Sequence, residues 1–170
     1  MINQLKKYIL TNILLVIAVT SFASAATLSV QVVQVDKGHT DVTELSLLIE
    51  ESIMDYFFSD GMIVLNSPII TSSNNDSTNY ASAMNDARSG SVNYLAYITL
   101  FFNTENSTKP EGLLLQNIET TQWQLIRVSD NKQIASGKFT PKINNQGDNS
   151  ENGITRFAQQ IAAAINSSLK

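Results

Sequence analysis

Apolar positions change their spacing along this chain, and each change marks an element. In residues 28–35, Leu28, Val30 and Val32 alternate with Ser29, Gln31 and Gln34, while Val33 and Val35 fall on the shifted phase. A two-residue period reads as a strand, and the shift implies a bulge or two buried faces. Asp36-Lys37-Gly38-His39 is a turn, after which Val42, Leu45, Ile49, Ile53, Tyr56 and Phe57 recur at helical spacing. Asp41, with Glu44 three residues on, resembles a capping box, so a first helix is expected from 41 to about 58. Ser59-Asp60-Gly61 ends it, with Gly61 supplying the left-handed terminal position. Residues 62–65 form a short strand that Ile69-Ile70 extends. Residues 72–79 contain no apolar side chain and read as an exposed, mobile loop. Tyr80, Ala83, Met84 and Ala87 mark a short second helix that stops near Gly90.

Residues 92–102 are the longest β-prone apolar run after the first 25 residues, without Pro, Gly or charge. A strand buried on both faces reads this way, so this is the expected central strand. Residues 103–112 are a second polar loop, and 113–128 are long enough for a bent strand. Asp130-Asn131 supplies a turn, and 133–140 return as the last strand. A third polar loop, 141–152, precedes Ile154, Phe157, Ala158, Ile161, Ala162, Ile165 and Leu169, the stripe of a closing amphipathic helix. The expected fold is an α/β (α+β) sandwich: a mixed sheet of about five strands with three helices, in the order β-α-β-α-β-β-β-α.

The start of the chain follows a different logic. Lys6 and Lys7 precede a mostly apolar run to Val19, and Ala23 and Ala25 then occupy the −3 and −1 positions of an A-x-A site. That order is a secretory signal peptide at 1–25, which leaves 26–170 as a single α/β domain and predicts no stable membrane insertion after cleavage. Asn12 and Thr11 interrupt the run, which falls short of the roughly 20 apolar residues of a spanning helix. The chain has 170 residues and no cysteine, so disulfides, thiol chemistry and lipid attachment at a cysteine are excluded. Lys6 and Lys7 are two of its 11 basic residues and all 15 acidic ones come later, so the domain is acidic. A scattered acidic surface argues against nucleic acid.

Candidate chemistry is sparse. His39, the one histidine, lacks the nucleophile and orienting acid that catalysis would need, and is expected to face solvent in its turn. A lone histidine without cysteine also disfavours a transition-metal site. Glu50, Glu51 and Asp55 lie on the polar side of the first helix, where such carboxylates are usually solvated. Asn144, Gln146, Asp148, Ser150 and Glu151 place oxygen atoms at near-alternate positions, but without the spacing of an EF-hand loop. No glycine pattern for phosphate binding occurs. Trp123, between Gln122 and Gln124, is expected in the core. No catalytic, cofactor or metal residue is assigned.

The phrase Ala87-Arg88-Ser89-Gly90-Ser91-Val92-Asn93-Tyr94-Leu95-Ala96-Tyr97-Ile98 leads a short helix through a glycine turn into the central strand. A ribbon follows, Trp123-Gln124-Leu125-Ile126-Arg127-Val128-Ser129-Asp130-Asn131-Lys132-Gln133-Ile134-Ala135-Ser136-Gly137, and then a closing helix. This pattern resembles the N-terminal domain of the Tol-Pal periplasmic protein, the curli-secretion lipoproteins and the lipoprotein activators of penicillin-binding proteins. The resemblance implies a protein-binding module of the bacterial envelope without enzymatic activity. The last two groups are lipid-anchored through a cysteine, which this chain lacks, and no residue-level site carries over. The functional expectation is therefore an exported, non-catalytic module, periplasmic or secreted, that binds an envelope protein. The alternative is a small-molecule or polysaccharide binder, with a hydrolase a lesser one. An aromatic pocket built from Tyr94, Tyr97, Phe101 and Trp123 would favour the ligand binder. If the three polar loops share one end of the sheet, that end is expected to meet the partner.

Overall fold

The computed structural model describes residues 26–74, 77–103, 107, 109–110 and 112–169. The signal-peptide expectation lies outside them, as do parts of two polar loops. The elements are β1 (Thr27–Val35), α1 (Glu44–Ser59), β2 (Ile63–Asn66), β3 (Ile70–Ser72), α2 (Ser77–Ser89), β4 (Tyr94–Phe102), β5 (Ile118–Arg127), β6 (Lys132–Phe139) and α3 (Glu151–Ser167). Short 3-10 turns, Leu115–Asn117 and Gln146–Asn149, precede β5 and α3. The expected order holds with one strand more, because Ile70 begins a strand of its own instead of extending β2.

The sheet runs β2-β1-β4-β5-β6, with β3 also beside β1. The expected central strand, β4, is central: it pairs in parallel with β1 and antiparallel with β5. β2 and β3 share one side of β1, at opposite ends, since Leu28 pairs with Val64 and Val35 with Ser72. The break between them would strand backbone groups. Gln31, fully buried, fills it by donating Nε2 to the carbonyls of Val32 (2.9 Å) and Pro68 (3.0 Å). The shifted phase noted in β1 thus reflects two buried faces.

One face carries the larger core. Leu28, Val30 and Val32 of β1, Ala96, Ile98 and Leu100 of β4, and Trp123 and Leu125 of β5 pack under Ile49, Ile53 and Phe57 of α1 and Ile154, Ile161 and Ile165 of α3. Each fully buried aliphatic side chain of this kind contributes roughly 1.5–3 kcal/mol. Ser52 Oγ bonds Thr155 Oγ1 (3.3 Å) and Asn166 Nδ2 bonds Asp60 Oδ2 (2.8 Å), so α1 and α3 run side by side in the same direction. The opposite face is covered only in part. Ala83, Met84 and Ala87 of α2 cover Val33, Leu95, Tyr97 and Ile126, whereas Gln122, Gln124, Ser136 and Lys138 of β5 and β6 stand open.

Three boundaries differ from the sequence expectation. Thr43, not Asp41, caps α1, accepting from the Ser46 amide at its hydroxyl. α2 begins at Ser77, inside the stretch expected as loop, because its first turn is polar in sequence and adds nothing to the apolar periodicity. β5 begins only at Ile118, the preceding residues being taken up by the 3-10 turn. Gly61 adopts φ +82° as expected, but after α2 the left-handed residue is Ser91 (φ +54°), one beyond Gly90.

Candidate functional site

The end of the sheet where β1, β3, β4 and β6 finish collects all three polar loops. Val35 lies opposite both Ser72 and Phe101, Phe101 lies opposite Thr120, and Phe139 opposite Thr121. Chain segments leaving those positions share one end, so the convergence posed by the sequence is met. The loops are not loosely attached there. Asn117, fully buried, accepts from Ser107 Oγ (2.6 Å) and directs Nδ2 at the carbonyls of Lys109, Pro110 and Gly112 at 3.1–3.2 Å. Asn149 and Gln116 join the third loop to the 3-10 turn before β5 through two bonds of 3.0 and 3.1 Å.

Gln34 is the hub of the β1–α1 connection. Its Oε1 accepts from Thr43 N (3.0 Å), Thr43 Oγ1 (3.1 Å) and Ser46 Oγ (2.8 Å), and its Nε2 donates to the Asp41 carbonyl (3.0 Å). The amide therefore fixes where α1 starts, which is why the cap moved to Thr43. Beside it, Asp36 is buried, accepting from the Gly38 amide (2.8 Å) and pairing with His39 Nδ1 (3.0 Å). The expectation of a solvent-facing His39 is corrected: the ring is largely covered, because the buried Asp36 carboxylate draws it inward. Its partner makes it a turn brace.

The helix carboxylates separate. Glu51 and Asp55 are exposed, as expected, but Glu50 is only 8% exposed, which corrects its reading as a solvated side chain. Burial pushes its carboxyl above the usual range, against a smaller opposing hydrogen bond with Asn66. Asp148 is spent on the third loop: Oδ2 accepts from the amides of Asn144 (2.9 Å) and Asn145 (3.2 Å), and Oδ1 faces Arg156 Nη2 (3.5 Å). That is helix-approach capping, and among the described residues no cluster of His, Asp and Glu is arranged to hold a metal.

The four aromatics do not form one pocket. Trp123 lies in the α1/α3 core over Gly137, whereas Tyr97 lies on the α2 face, edge-on to Tyr80 at 5.6 Å between ring centres. Phe101 lines a hollow of about 190 Å³ with Asp36 and Glu119 at the loop end. Tyr94 lines a hollow of about 650 Å³ at the other end.

Sequence reading missed the β2 side of the domain. Among the described residues β2 pairs only with β1, so its outer edge is open. Val64 packs toward the α1/α3 core, which turns Ile63 (53% exposed) and Leu65 (44% exposed) to the α2 side. Phe58, at the end of α1, is 74% exposed. The opposite edge, β6, carries Lys132 and Lys138, the charges that discourage edge pairing, whereas β2 has none. The signal for this was the unbroken apolar triplet Ile63-Val64-Leu65, one residue of which sufficed for the core.

No curated protein matches the chain in sequence. Similar solved structures include a PelC dodecamer from Paraburkholderia phytofirmans, at 16% identity and TM-score 0.47, over 85% of this chain and 86% of that one. TolB from Acinetobacter baumannii is similar at 13% identity and TM-score 0.44, over 86% of this chain and 29% of TolB. The LpoB C-terminal domain from Salmonella enterica is similar at 16% identity and TM-score 0.35, over 71% of this chain and 84% of that domain. A family model described as "Uncharacterised protein" matches residues 27–170, and the chain belongs to that family.

Proposed function

We propose that this chain is an exported, non-catalytic module of the bacterial envelope that binds a protein partner, and that the partner docks along the β2 edge. Export rests on the basic, apolar and A-x-A order of the first 25 residues, and cleavage after Ala25 would release 26–170 into the periplasm or medium. N-terminal sequencing of the exported protein should read Ala26; a chain still beginning at Met1 in the membrane fraction would refute this step. The single observation that carries the binding reading is the contrast between the two edges. An uncharged strand edge bordered by exposed apolar side chains is a template for strand addition by another chain.

Ile63→Lys and Leu65→Glu, made separately, put charge on that edge at exposed positions, so stability should stay within about 0.5 kcal/mol of the wild type. Affinity capture from an envelope extract under mild crosslinking should lose the partner with either variant. The convergence of the loops favours a second location, tested by shortening 73–76 and 141–143 separately to Gly-Ser turns, which spares β3, α2 and the Asp148 cap. Partner loss with a shortened loop and full capture by both edge variants would move the interface to the loop end. Full capture by all four variants would reject both surfaces.

A further inference from the structure

The end of the sheet opposite the loops holds a second feature, next to the start of β2, where the Ile63 amide donates to the Ala26 carbonyl (3.3 Å). Its hollow of about 650 Å³ is lined by Arg88, Ser91, Asn93, Tyr94, Arg127 and Ser129, with Ala26 at its rim. The chain contains only three arginines, and two of them line this hollow although the chain carries a net charge of −4. They arrive from different elements: Arg88 from the last turn of α2, and Arg127 from the end of β5, directly across the ladder from Tyr94. Arginine presents a planar fork suited to carboxylates and phosphates. Arg127 already meets Asp130 at 3.1 Å, but both side chains are nearly half exposed, and such a pair is readily exchanged for a ligand carboxylate.

The other lining residues narrow the ligand. Ser91 is held at φ +54° by the turn that ends α2, with its amide donating to the Arg88 carbonyl (3.0 Å). A left-handed residue is what the end of a helix requires, and the turn is closed by Val92 N donating to the Ala87 carbonyl (3.2 Å), which sets Ser91 on the wall of the hollow. Asn93 is fixed in place by Thr27, whose amide (3.0 Å) and hydroxyl (2.8 Å) both donate to Asn93 Oδ1. Two serines, a fixed asparagine amide and half-buried Tyr94, which packs on the α1/α3 core, therefore line the hollow with the two arginines. Hydroxyl and amide partners beside an aromatic face match a polyhydroxylated ring, and the forks match an acid carried on it. The volume lies within the range of small-molecule sites.

We propose that this hollow binds an acidic saccharide, with the sugar carboxylate held by Arg88 and Arg127 and the ring set among Tyr94, Ser91, Asn93 and Ser129. Cleavage after Ala25 would add the α-ammonium of Ala26 to the same rim.

Calorimetric titration of the purified exported protein with digalacturonate, its uncharged methyl ester and inorganic phosphate tests this. Digalacturonate should bind, the ester about tenfold or more weakly, and phosphate more weakly than digalacturonate. Arg88→Gln and Arg127→Gln should each weaken digalacturonate about tenfold, and Arg156→Gln, on α3, should leave it unchanged. Absence of digalacturonate binding up to about 10 mM overturns the proposal. So does equal binding of the ester, or phosphate binding as tight as that of the sugar acid. The ester comparison uses the unaltered protein, so it decides the matter even where an arginine variant fails to fold. The ester comparison and the arginine variants leave β2 unaltered, so failure of this site leaves the edge variants free to succeed.

Discussion

Gly137→Ala should destabilise the domain although it adds one methyl group to an ordinary strand position. A Cβ built at Gly137 would lie 2.7 Å from both Cε2 and Nε1 of Trp123 and 2.8 Å from its Cζ2. Trp123 sits opposite Gly137 in the β5–β6 ladder, almost fully buried under α1 and α3, so its ring has no free direction in which to move. Overpacking a core in this way costs about 1–3 kcal/mol. Replacing glycine also stiffens the unfolded chain, which favours folding by about 0.4–1 kcal/mol. The steric effect wins, and the net loss should be about 1–2 kcal/mol. Urea unfolding followed by tryptophan emission measures it directly, since Trp123 is the only tryptophan. In a Trp123→Leu background, followed by far-UV circular dichroism because no tryptophan remains, Gly137→Ala should cost much less, because the neighbour that the methyl group strikes is then smaller. An unchanged or raised urea midpoint in the single variant would refute this packing. Equal penalties with and without the indole would assign the cost to the backbone instead.

Gln34→Leu should cost roughly 2–3 kcal/mol, since it removes the acceptor for Thr43 N, Thr43 Oγ1 and Ser46 Oγ and leaves buried donors unpaired; a urea midpoint equal to wild type would show that water replaces the amide. Ile161→Ala should cost roughly 2–5 kcal/mol, because Ile161 is fully buried between α3 and the sheet; an unchanged midpoint would mean that this face of α3 is not core. Glu50→Gln should stabilise the protein at neutral pH. Burial raises the Glu50 carboxyl, so the folded state binds its proton more tightly than the unfolded chain does, and wild-type stability falls as pH rises above the unfolded value of about 4.3. The benefit of the substitution should shrink on acidification below that value, and a benefit independent of pH would mean that ionisation of Glu50 is not its source.

The parts of this fold that periodicity could express were legible. α3 buries every member of its predicted stripe except Leu169, which is partly covered, and β4 is central as its uncharged apolar run implied. What escaped was polar. Gln31 lies on the α2 face of β1, and Gln34, three residues on, lies on the opposite face in phase with Leu28, Val30 and Val32. Both are covered, and the amides are buried because each replaces backbone partners that a broken edge and a helix start would lack. Glu50 escaped for a related reason: helical spacing places it beside exposed neighbours, but only the tertiary approach of Asn66 shows that this flank is covered.

The same limit explains why the candidate surfaces were not foreseen. Apolar residues in a short strand announce burial, and the sequence does not say which side of Ile63-Val64-Leu65 finds a partner. Only the sheet order puts β2 at an edge and gives its core side to Val64, leaving Ile63 and Leu65 on the outside. Arg88 and Arg127 stand far apart in sequence and come to line one hollow because α2 crosses over to feed β4, the strand on which β5 then pairs. The crossover that covers one face of the sheet thus also assembles the arginine hollow at its end. Packing and site share one cause: a change that displaced α2 would disturb both, and Leu65, whose Cδ1 lies 3.4 Å from where a Cβ of Gly90 would sit, sets β2 against the same helix end.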